Sequence, residues 1–359
     1  MTTAQVFAMP DHVETHDAQS TTTATPAALL EMIGASWMSK VIAVAAELRI
    51  ADHLADGAQS VNALAASTQC HPPSLHRLLR ALASLDLCRE LENGDFALTP
   101  FGELLRANAD QAVASWAVWW GKHHWPTWGN LLHSVKTGDS ARDLATGQQG
   151  YAYIAHDPGA AAVFNRAMVE VTRLIADEVV RVLDFSNAAH VVDVGGGHGV
   201  LLGAVLRVHP NMRGTLFDLP HALDGAGALL TAAGVATRTE LVAGNFFEAV
   251  PGGADVYLLK SILHNWDDEK CADILRSCRR AIPAYAKLAL VERIMPARMS
   301  VSRINQAVAR ADLNMLVGLG GRERTAAEFT ALLEAAGFQL RRIVPAGLEF
   351  SVVECAVGD

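Results

Sequence analysis

The stretch His190-Val191-Val192-Asp193-Val194-Gly195-Gly196-Gly197-His198-Gly199 decides the fold class. An apolar, strand-like run enters a glycine cluster, and a helical pattern with Val200, Leu201, Leu202, Val205 and Leu206 follows directly. A strand, tight turn and helix in that order form the building unit of an open parallel sheet, whose ligands bind beyond the carboxyl ends of the strands. Glycines at that turn let the backbone bend sharply and approach a ligand closely. A dinucleotide fingerprint counted from Gly195 needs a third glycine where Val200 stands, and a phosphate loop needs a Gly-Lys-Ser/Thr that is absent. The pattern is instead Asp-x-Gly-x-Gly-x-Gly. The acid that opens it disfavours a pyrophosphate and favours a ligand with a cationic amino acid end.

Outward from that turn, strand-like and helical runs alternate. Strands are expected at 190–194, 213–219, 239–243, 255–260 and 286–292, with helices opening near Gly199, His221, Asp267 and Thr325. The last of these starts with the capping box Thr325-Ala326-Ala327-Glu328 and ends at Gly337. Two closing strands, 339–344 and 349–357, are expected to pair across Pro345-Ala346-Gly347 and to supply an antiparallel edge. The expected fold is therefore α/β, a Rossmann-like domain with a seven-stranded, mostly parallel sheet. The second strand ends in Phe217-Asp218-Leu219-Pro220, where Asp218 can accept hydrogen bonds from both hydroxyls of a ribose. An acid, a glycine turn and a second acid at consecutive strand ends suit S-adenosylmethionine (SAM), which carries an ammonium, a sulfonium and a ribose but no phosphate.

The fourth strand leads into Ser261-Ile262-Leu263-His264-Asn265-Trp266-Asp267-Asp268-Glu269, so His264 is expected on the ligand side of the sheet. A histidine so placed can take the proton from a phenol or alcohol near neutral pH. A carboxylate on its far nitrogen would orient it, and Glu292 and Glu323 are the candidates. The run Asp267-Asp268-Glu269 reads more simply as a helix cap and dipole partner than as a magnesium site, and no metal is expected.

Upstream, residues 26–54 read as a helical, unusually apolar segment that needs cover from its own chain or a second subunit, hence part of a dimer interface. A short helix at Ser60, a break at Cys70-His71-Pro72-Pro73, a leucine-faced helix and a hairpin about Glu92-Asn93-Gly94-Asp95 describe a winged helix over 26–107. Such folds often bind DNA, but here the basic residues are few (His71, His76, Arg77, Arg80) and the wing carries Glu90, Glu92 and Asp95. Packing and dimerisation are the better reading, and a SAM-responsive DNA-binding regulator is the rival. Residues 108–185 are expected to be a mostly helical connection to the catalytic domain, with loops at 121–126 and 137–150. Trp116, Trp119 and Trp120 share one helical face and read as core, whereas Trp125 and Trp128 beside Pro126 are candidates to line a pocket. Residues 1–25 are expected to be a disordered tail, with no apolar segment of a secretory signal.

Half of the 359 residues are apolar, which permits a substantial core, and 38 acidic against 29 basic side chains give a net charge of −9. That balance argues against a broad phosphate-binding surface. Five scattered cysteines form no zinc pattern and suit free thiols in a reducing cytoplasm. No uncharged apolar run reaches membrane-spanning length, so a cytoplasmic protein without membrane or nucleic-acid partners is expected.

At these residues the chain resembles the SAM-dependent O-methyltransferases of the caffeic acid and plant small-molecule type, which include bacterial members in secondary metabolism. The resemblance runs from about Pro26 to Val357. Four motifs carry it: Val192 to Gly199, Phe217 to Pro220, Leu259 to Asp267, and Gly320-Gly321-Arg322-Glu323-Arg324-Thr325. It implies a homodimer, a small, flat, aromatic acceptor and a cofactor site of Asp193, Gly195, Gly197, Asp218, Leu219, Asn245, Phe246 and Lys260. It also implies His264 as base with Glu292 and Glu323, and Met168, Asn314 and Met315 on the acceptor side; Trp125, Trp128 and Phe164 are expected, as apolar side chains, to line the same site. The family's usual Gly-Asp after the third strand reads Gly244-Asn245 here, which puts an amide where an acid would meet the adenine amino group. Some relatives keep the SAM fold and catalyse N-methylation, hydroxylation, decarboxylation or pericyclic steps, and these stand as alternatives. Those with non-methyl chemistry tend to lose the histidine that this chain retains.

Overall fold

The structure, a computed structural model, describes residues 24–358, so the expected N-terminal tail lies almost wholly outside the described residues. The C-terminal part is built on a sheet in which seven strands run in the order β5-β4-β3-β6-β7-β10-β9. Here β3 is His190–Val194, β4 Arg213–Asp218, β5 Thr239–Ala243, β6 Val256–Lys260 and β7 Lys287–Met295. The closing pair is β9 Phe338–Pro345 and β10 Phe350–Val357, and the two-residue β8, Arg324–Thr325, joins the far end of β7. Strands β3 to β7 are mutually parallel.

The expected antiparallel edge is corrected: β10, the antiparallel strand, lies inside the sheet between β7 and β9. Burial explains the order, because Val352, Val353 and Cys355 of β10 are all sealed from solvent whereas most of β9 is not. Alternation within the strands sends side chains to two cores. Val191, Val256, Leu258, Ala289 and Val291 face the Pro158–Val182 and Val200–Val208 helices. Val192, Val194, Tyr257, Leu259, Leu288 and Leu290 face the Asp268–Ala281 and Ala326–Ala335 helices. The sheet is covered on both sides, and the carboxyl ends of β3, β4 and β6 are left for the site.

The N-terminal part contains the Pro26–Glu47 helix, whose Thr25 cap accepts from Ala28 N–H, and the Val61–Thr68 and Pro72–Ser84 helices. The wing follows as β1, Cys88–Glu90, and β2, Phe96–Leu98, with Gln59 bridging to Phe96. The Pro26–Glu47 helix is long and apolar enough, by length and composition, to cross a membrane, although no uncharged run within it reaches that length. Glu31, Lys40 and Glu47 interrupt it, and Leu29, Leu30, Met32, Ile33 and Trp37 are each more than half exposed.

The loop expected at 121–126 is also corrected. Ala114–Val118 continues into a π-helical stretch, Trp119–His124, and then a helical turn, Trp125–Trp128. Pro126 sits in the first turn of that last piece, where its missing N–H costs nothing. The widened turn lays Gly121 against the N-terminal helix, where a Cβ would come within 2.0 Å of the Ala43 Cβ. Of the three tryptophans expected in the core, Trp119 is buried, while Trp116 and Trp120 are only half-buried.

Candidate active site

The glycine turn is pressed down on one side and open on the other. Gly195, Gly197 and Gly199 all adopt positive φ. A Cβ on Gly195 would lie 2.5 Å from Ile262 Cδ1, and one on Gly196 would lie 2.5 Å from Asp193 Cγ. A Cβ on Gly197 meets nothing within 4 Å, so this is the face that can receive a ligand. Asp218, at the end of β4, ties the turn in place: Oδ2 accepts from Gly197 N–H at 2.8 Å and Oδ1 from Leu219 N–H at 2.7 Å. A carboxylate accepts about four hydrogen bonds, so two remain for ligand hydroxyls. Burial raises the Asp218 pKa against these two bonds. Leu219 beside it is partly exposed.

Asp193 lies beneath the turn, 1% exposed, and neither carboxylate oxygen is within full hydrogen-bond geometry, the Leu202 N–H exerting only a weak pull. Burial, followed by repulsion from Asp218, pushes its pKa up to about 7, against the pull of Lys260. Lys260 closes β6, with Nζ 3.1 Å from Ser261 Oγ and 5.4 Å from the Phe350 ring centroid. Burial first and Arg293 second push the Lys260 pKa down to about 8, while Glu292 and Asp193 oppose them. Phe246 flanks Gly195 and meets Trp266 edge-on at 6.5 Å. Asn245 uses its amide locally: Oδ1 accepts from Phe247 N–H at 3.1 Å and Nδ2 donates to Glu248 at 3.2 Å. One lone pair of Oδ1 remains for an amino group. The residues present fit SAM: an open glycine face, a ribose-competent acid, an aromatic flank and a buried, unpartnered carboxyl that favours a cationic ligand.

His264 stands in a tight turn, Leu263–Asn265, just past β6. Its Nδ1 lies 3.1 Å from Glu323 Oε1 and 3.6 Å from Glu292 Oε2. Nδ1 facing two carboxyls assigns the proton to that nitrogen and leaves Nε2 as the acceptor. Glu292 is fully buried on β7, and its Oε1 accepts Ile262 N–H at 3.0 Å and Leu263 N–H at 2.8 Å, fixing the turn that carries the histidine. Burial raises its pKa, and His264 lowers it. Glu323 is held from behind, its own N–H donating to Asp312 at 2.9 Å. The ligand atoms of His264, Glu292 and Glu323 lie within 4.8 Å of one another, a grouping that resembles a cation site. The Nδ1 contact with Glu323 gives the simpler reading of a base with orienting carboxyls. Asp267 caps the following helix through Lys270 N–H, and Asp268 pairs with Arg322 and Arg324.

Two supports of this turn were not singled out from sequence. Arg324, 1% exposed, donates to Leu263 O at 3.0 Å, Trp266 O at 2.8 Å and Asp268 at 2.8 Å, clamping both ends of the turn. Gly321 lets the Gly320–Thr325 stretch approach, since a Cβ there would lie 2.1 Å from His264 O. Both belong to a motif already noted, which was the available signal.

On the acceptor side, the Arg303–Leu319 helix carries Asn314 and Met315. Asn314 Oδ1 accepts from Trp128 Nε1 at 2.9 Å and from His124 Nε2, so its NH2 group is turned away from both. Burial first and Arg142 second push the His124 pKa down to about 4, which keeps the ring neutral. A continuous aromatic wall runs from here to the cofactor turn: Trp119 to Phe164 (5.0 Å between centroids), Phe164 to Tyr151 (6.2 Å), Tyr151 to Trp266 (6.5 Å) and Trp266 to Phe246. Met168 packs beside Phe164 and Trp119, and Met315 is buried. Trp125 does not join this group. It is 37% exposed, with Lys40 Nζ 5.9 Å from its ring centroid, on the side of the N-terminal helix. His124, Arg142 and Tyr151 had no local sequence signal, because their partners lie far away in the chain.

A glycine turn shaped for SAM, opposite a histidine oriented by carboxyls, defines a SAM-dependent methyltransferase. The family model for the O-methyltransferase domain matches residues 128–339, and that for the O-methyltransferase dimerisation domain matches residues 30–108. The phenazine O-methyltransferase PhzM of Lysobacter antibioticus is 42% identical over 91% of this chain and 94% of its own length. The crystal structure of LaPhzM matches with a TM-score of 0.88 at 41% identity, covering 92% of this chain and 98% of that one. NcsB1, an O-methyltransferase from neocarzinostatin biosynthesis solved with SAM and 2-hydroxy-5-methyl naphthoic acid, matches with a TM-score of 0.76 at 32% identity, covering 89% and 95%. The chain belongs to the O-methyltransferase family and is a SAM-dependent O-methyltransferase with a dimerisation domain.

Proposed function

We propose that the chain methylates a hydroxyl of a small aromatic metabolite with His264 as general base. The observation that carries this is the His264 Nδ1 contact with Glu323 at 3.1 Å, backed by Glu292 at 3.6 Å. Bound in the glycine cradle, SAM supplies an electrophilic methyl on a sulfonium. His264 Nε2 takes the acceptor's hydroxyl proton, and the imidazolium that forms is stabilised by the carboxyls on Nδ1. Asp218 would hold the ribose hydroxyls, Gly195 and Gly197 would leave room for the cofactor, and Leu219, Asn245 and Phe246 would contact the adenine. Asp193 and Lys260 set the local charge. Phe164, Met168, Trp128, Asn314 and Met315 shape the acceptor side, and an aromatic ring fits the wall running from Trp119 to Phe246.

The exposed apolar face of the Pro26–Glu47 helix supports a homodimer, and five free cysteines support a reducing, cytoplasmic setting. A role in reading DNA is disfavoured because His76 of the leucine-faced helix lies 3.5 Å from Glu90, so the wing sets an acid against its recognition helix. The test is transfer from 13C-methyl SAM to a panel of phenols, followed by NMR of the product. A methoxy resonance matched by stoichiometric S-adenosylhomocysteine is expected. S-adenosylhomocysteine formed without label in the product, or label on nitrogen alone, would overturn the reading.

A further inference from the structure

Two buried carboxyls face His264, and their mutual repulsion needs an answer. The side chains of Glu292 and Glu323 are sealed from solvent, and their facing atoms and that of His264 lie within 4.8 Å of one another. Like charges so close in a dry site do not both stay ionised without a counter-charge. The imidazole is neutral until it takes the acceptor's proton, so it cannot supply one beforehand. Burial first, with repulsion from Glu323 behind it, raises the Glu292 pKa against the pull of His264 and two backbone N–H groups.

Arg293 is the cation that reaches this pair. The register of β7 with β8 sets Ile294 beside Arg324, which puts Arg293 beside Glu323 one step earlier. Its Nη1 lies 3.6 Å from Glu323 Oε1, the oxygen that also stands 3.1 Å from His264 Nδ1. Glu292 precedes it on the strand and leaves on the opposite face, and among the described residues Glu292 has no ion-pair partner but His264. The guanidinium itself is fixed. Its side chain is 12% exposed, and Nε and Nη2 both donate to Glu349 Oε1, at 2.9 and 2.7 Å. Its Cζ lies 4.1 Å from the ring centroid of Phe350, its cross-strand partner on β10. Two other charged groups flank the cluster. Lys260, on β6, has its pKa lowered by burial and by Arg293, and Asp312, on the Arg303–Leu319 helix, accepts the Glu323 N–H while burial raises its pKa. Neither offers Glu323 a positive charge in place of Arg293.

We propose that Arg293 is a positioning residue for methyl transfer, its guanidinium anchored by Glu349 and Phe350 and holding the Glu323 carboxylate against Nδ1 of His264. This rests on the methyl-transfer reading above and adds a residue to it. Arg293 acts through Glu323 and touches neither the reacting oxygen nor the methyl. With the cation in place, Glu323 accepts the Nδ1 proton as a carboxylate. When Nε2 then takes the acceptor's proton, the imidazolium meets a full negative charge. Without the cation, the two buried carboxyls hold a proton between them, and the imidazolium loses part of its counter-charge. The closing hairpin thereby gains a part in the chemistry, because Glu349 and Phe350 aim the guanidinium.

The test is a double-mutant cycle in the full-length enzyme, with saturating SAM and the phenol that the native enzyme turns over best. Arg293→Met is expected to lower kcat roughly tenfold to a hundredfold with KM for the phenol little changed, and Arg293→Lys to keep part of the rate. Added to His264→Ala, Arg293→Met should cost less than about twofold, because the charge acts through the histidine. The full loss recurring in that background would leave Arg293 a structural residue and overturn the proposal, as would native kcat in Arg293→Met. A second readout needs no acceptor. In 15N-histidine enzyme saturated with S-adenosylhomocysteine, the Nδ1 proton of His264, assigned by its absence in His264→Ala, is expected to move upfield in Arg293→Met as its bond to Glu323 weakens. A proton that stays in place overturns the proposal. If Arg293→Met does not fold, Glu349→Gln, which loosens the anchor, is expected to show the same two effects in smaller measure, and their absence overturns the proposal. An enzyme that methylates no phenol sinks the methyl-transfer reading, whereas the Nδ1 proton still decides the role of Arg293.

Discussion

Replacing Asp193 with asparagine isolates the cost of the buried, unpartnered carboxyl beneath the glycine turn. Its pKa rises from 3.8 to about 7 on folding, chiefly through burial. An acid whose folded pKa lies above its unfolded value is protonated in the folded chain while the unfolded chain is ionised. Folding then takes up a proton between about pH 4 and pH 7, so this group's contribution falls as pH rises through that window and is level above it. The displacement corresponds to about 4 kcal/mol of destabilisation at pH 8.5. At that pH Lys260, itself pushed down to about 8, has lost much of its charge, so little attraction disappears with the carboxylate. An asparagine amide left without partners costs about 1–2 kcal/mol of the gain. Asp193→Asn is therefore expected to stabilise the cofactor-free enzyme by about 2–3 kcal/mol at pH 8.5 and to destabilise it by about 1–2 kcal/mol at pH 4, where only the amide cost remains. Urea unfolding at the two pH values reads this directly. The same substitution should weaken SAM binding at pH 8.5 by roughly tenfold, because the ligand's positive charge loses its counter-charge. A variant less stable than the native enzyme at pH 8.5 would refute the reasoning, because it would mean that the ionised carboxylate is well solvated or hydrogen-bonded where it lies.

Two further substitutions probe the frame around His264. Gly321→Ala places a Cβ against His264 O, which cannot yield cheaply, so the turn must shift; kcat is expected to fall about a hundredfold with SAM affinity little changed, as measured by steady-state kinetics and calorimetry. Arg324→Met leaves the carbonyls of Leu263 and Trp266 without their buried donor and should cost about 3 kcal/mol, read as a lower urea midpoint.

The strands, the glycine turn and the histidine turn could be read from the chain because their information is local: alternation, a glycine cluster and a strand end each occupy a few residues. Where β10 sits could not, because its place inside the sheet depends on which of two similar strands buries more completely against β7. Gly121 and Pro126 punctuate 121–126 as a loop would, and only the contact of Gly121 with Ala43 shows why the π-helical stretch Trp119–His124 and the turn after it persist there. On the acceptor side, His124 and Asn314 stand 190 positions apart, and Arg142 meets Gly318 across 176. Asn245 illustrates the opposite limit: its residue type is plain in the sequence, but its amide also braces its own turn, leaving one Oδ1 lone pair, which a residue-for-residue comparison does not reveal.

The central claim is that His264 removes the acceptor's proton, and the direct measurement is kcat of His264→Ala beside the native enzyme with the same acceptor and saturating SAM. The account predicts a loss of roughly a hundredfold to ten-thousandfold with the affinity for SAM unchanged. Full-rate methylation by the variant would contradict it.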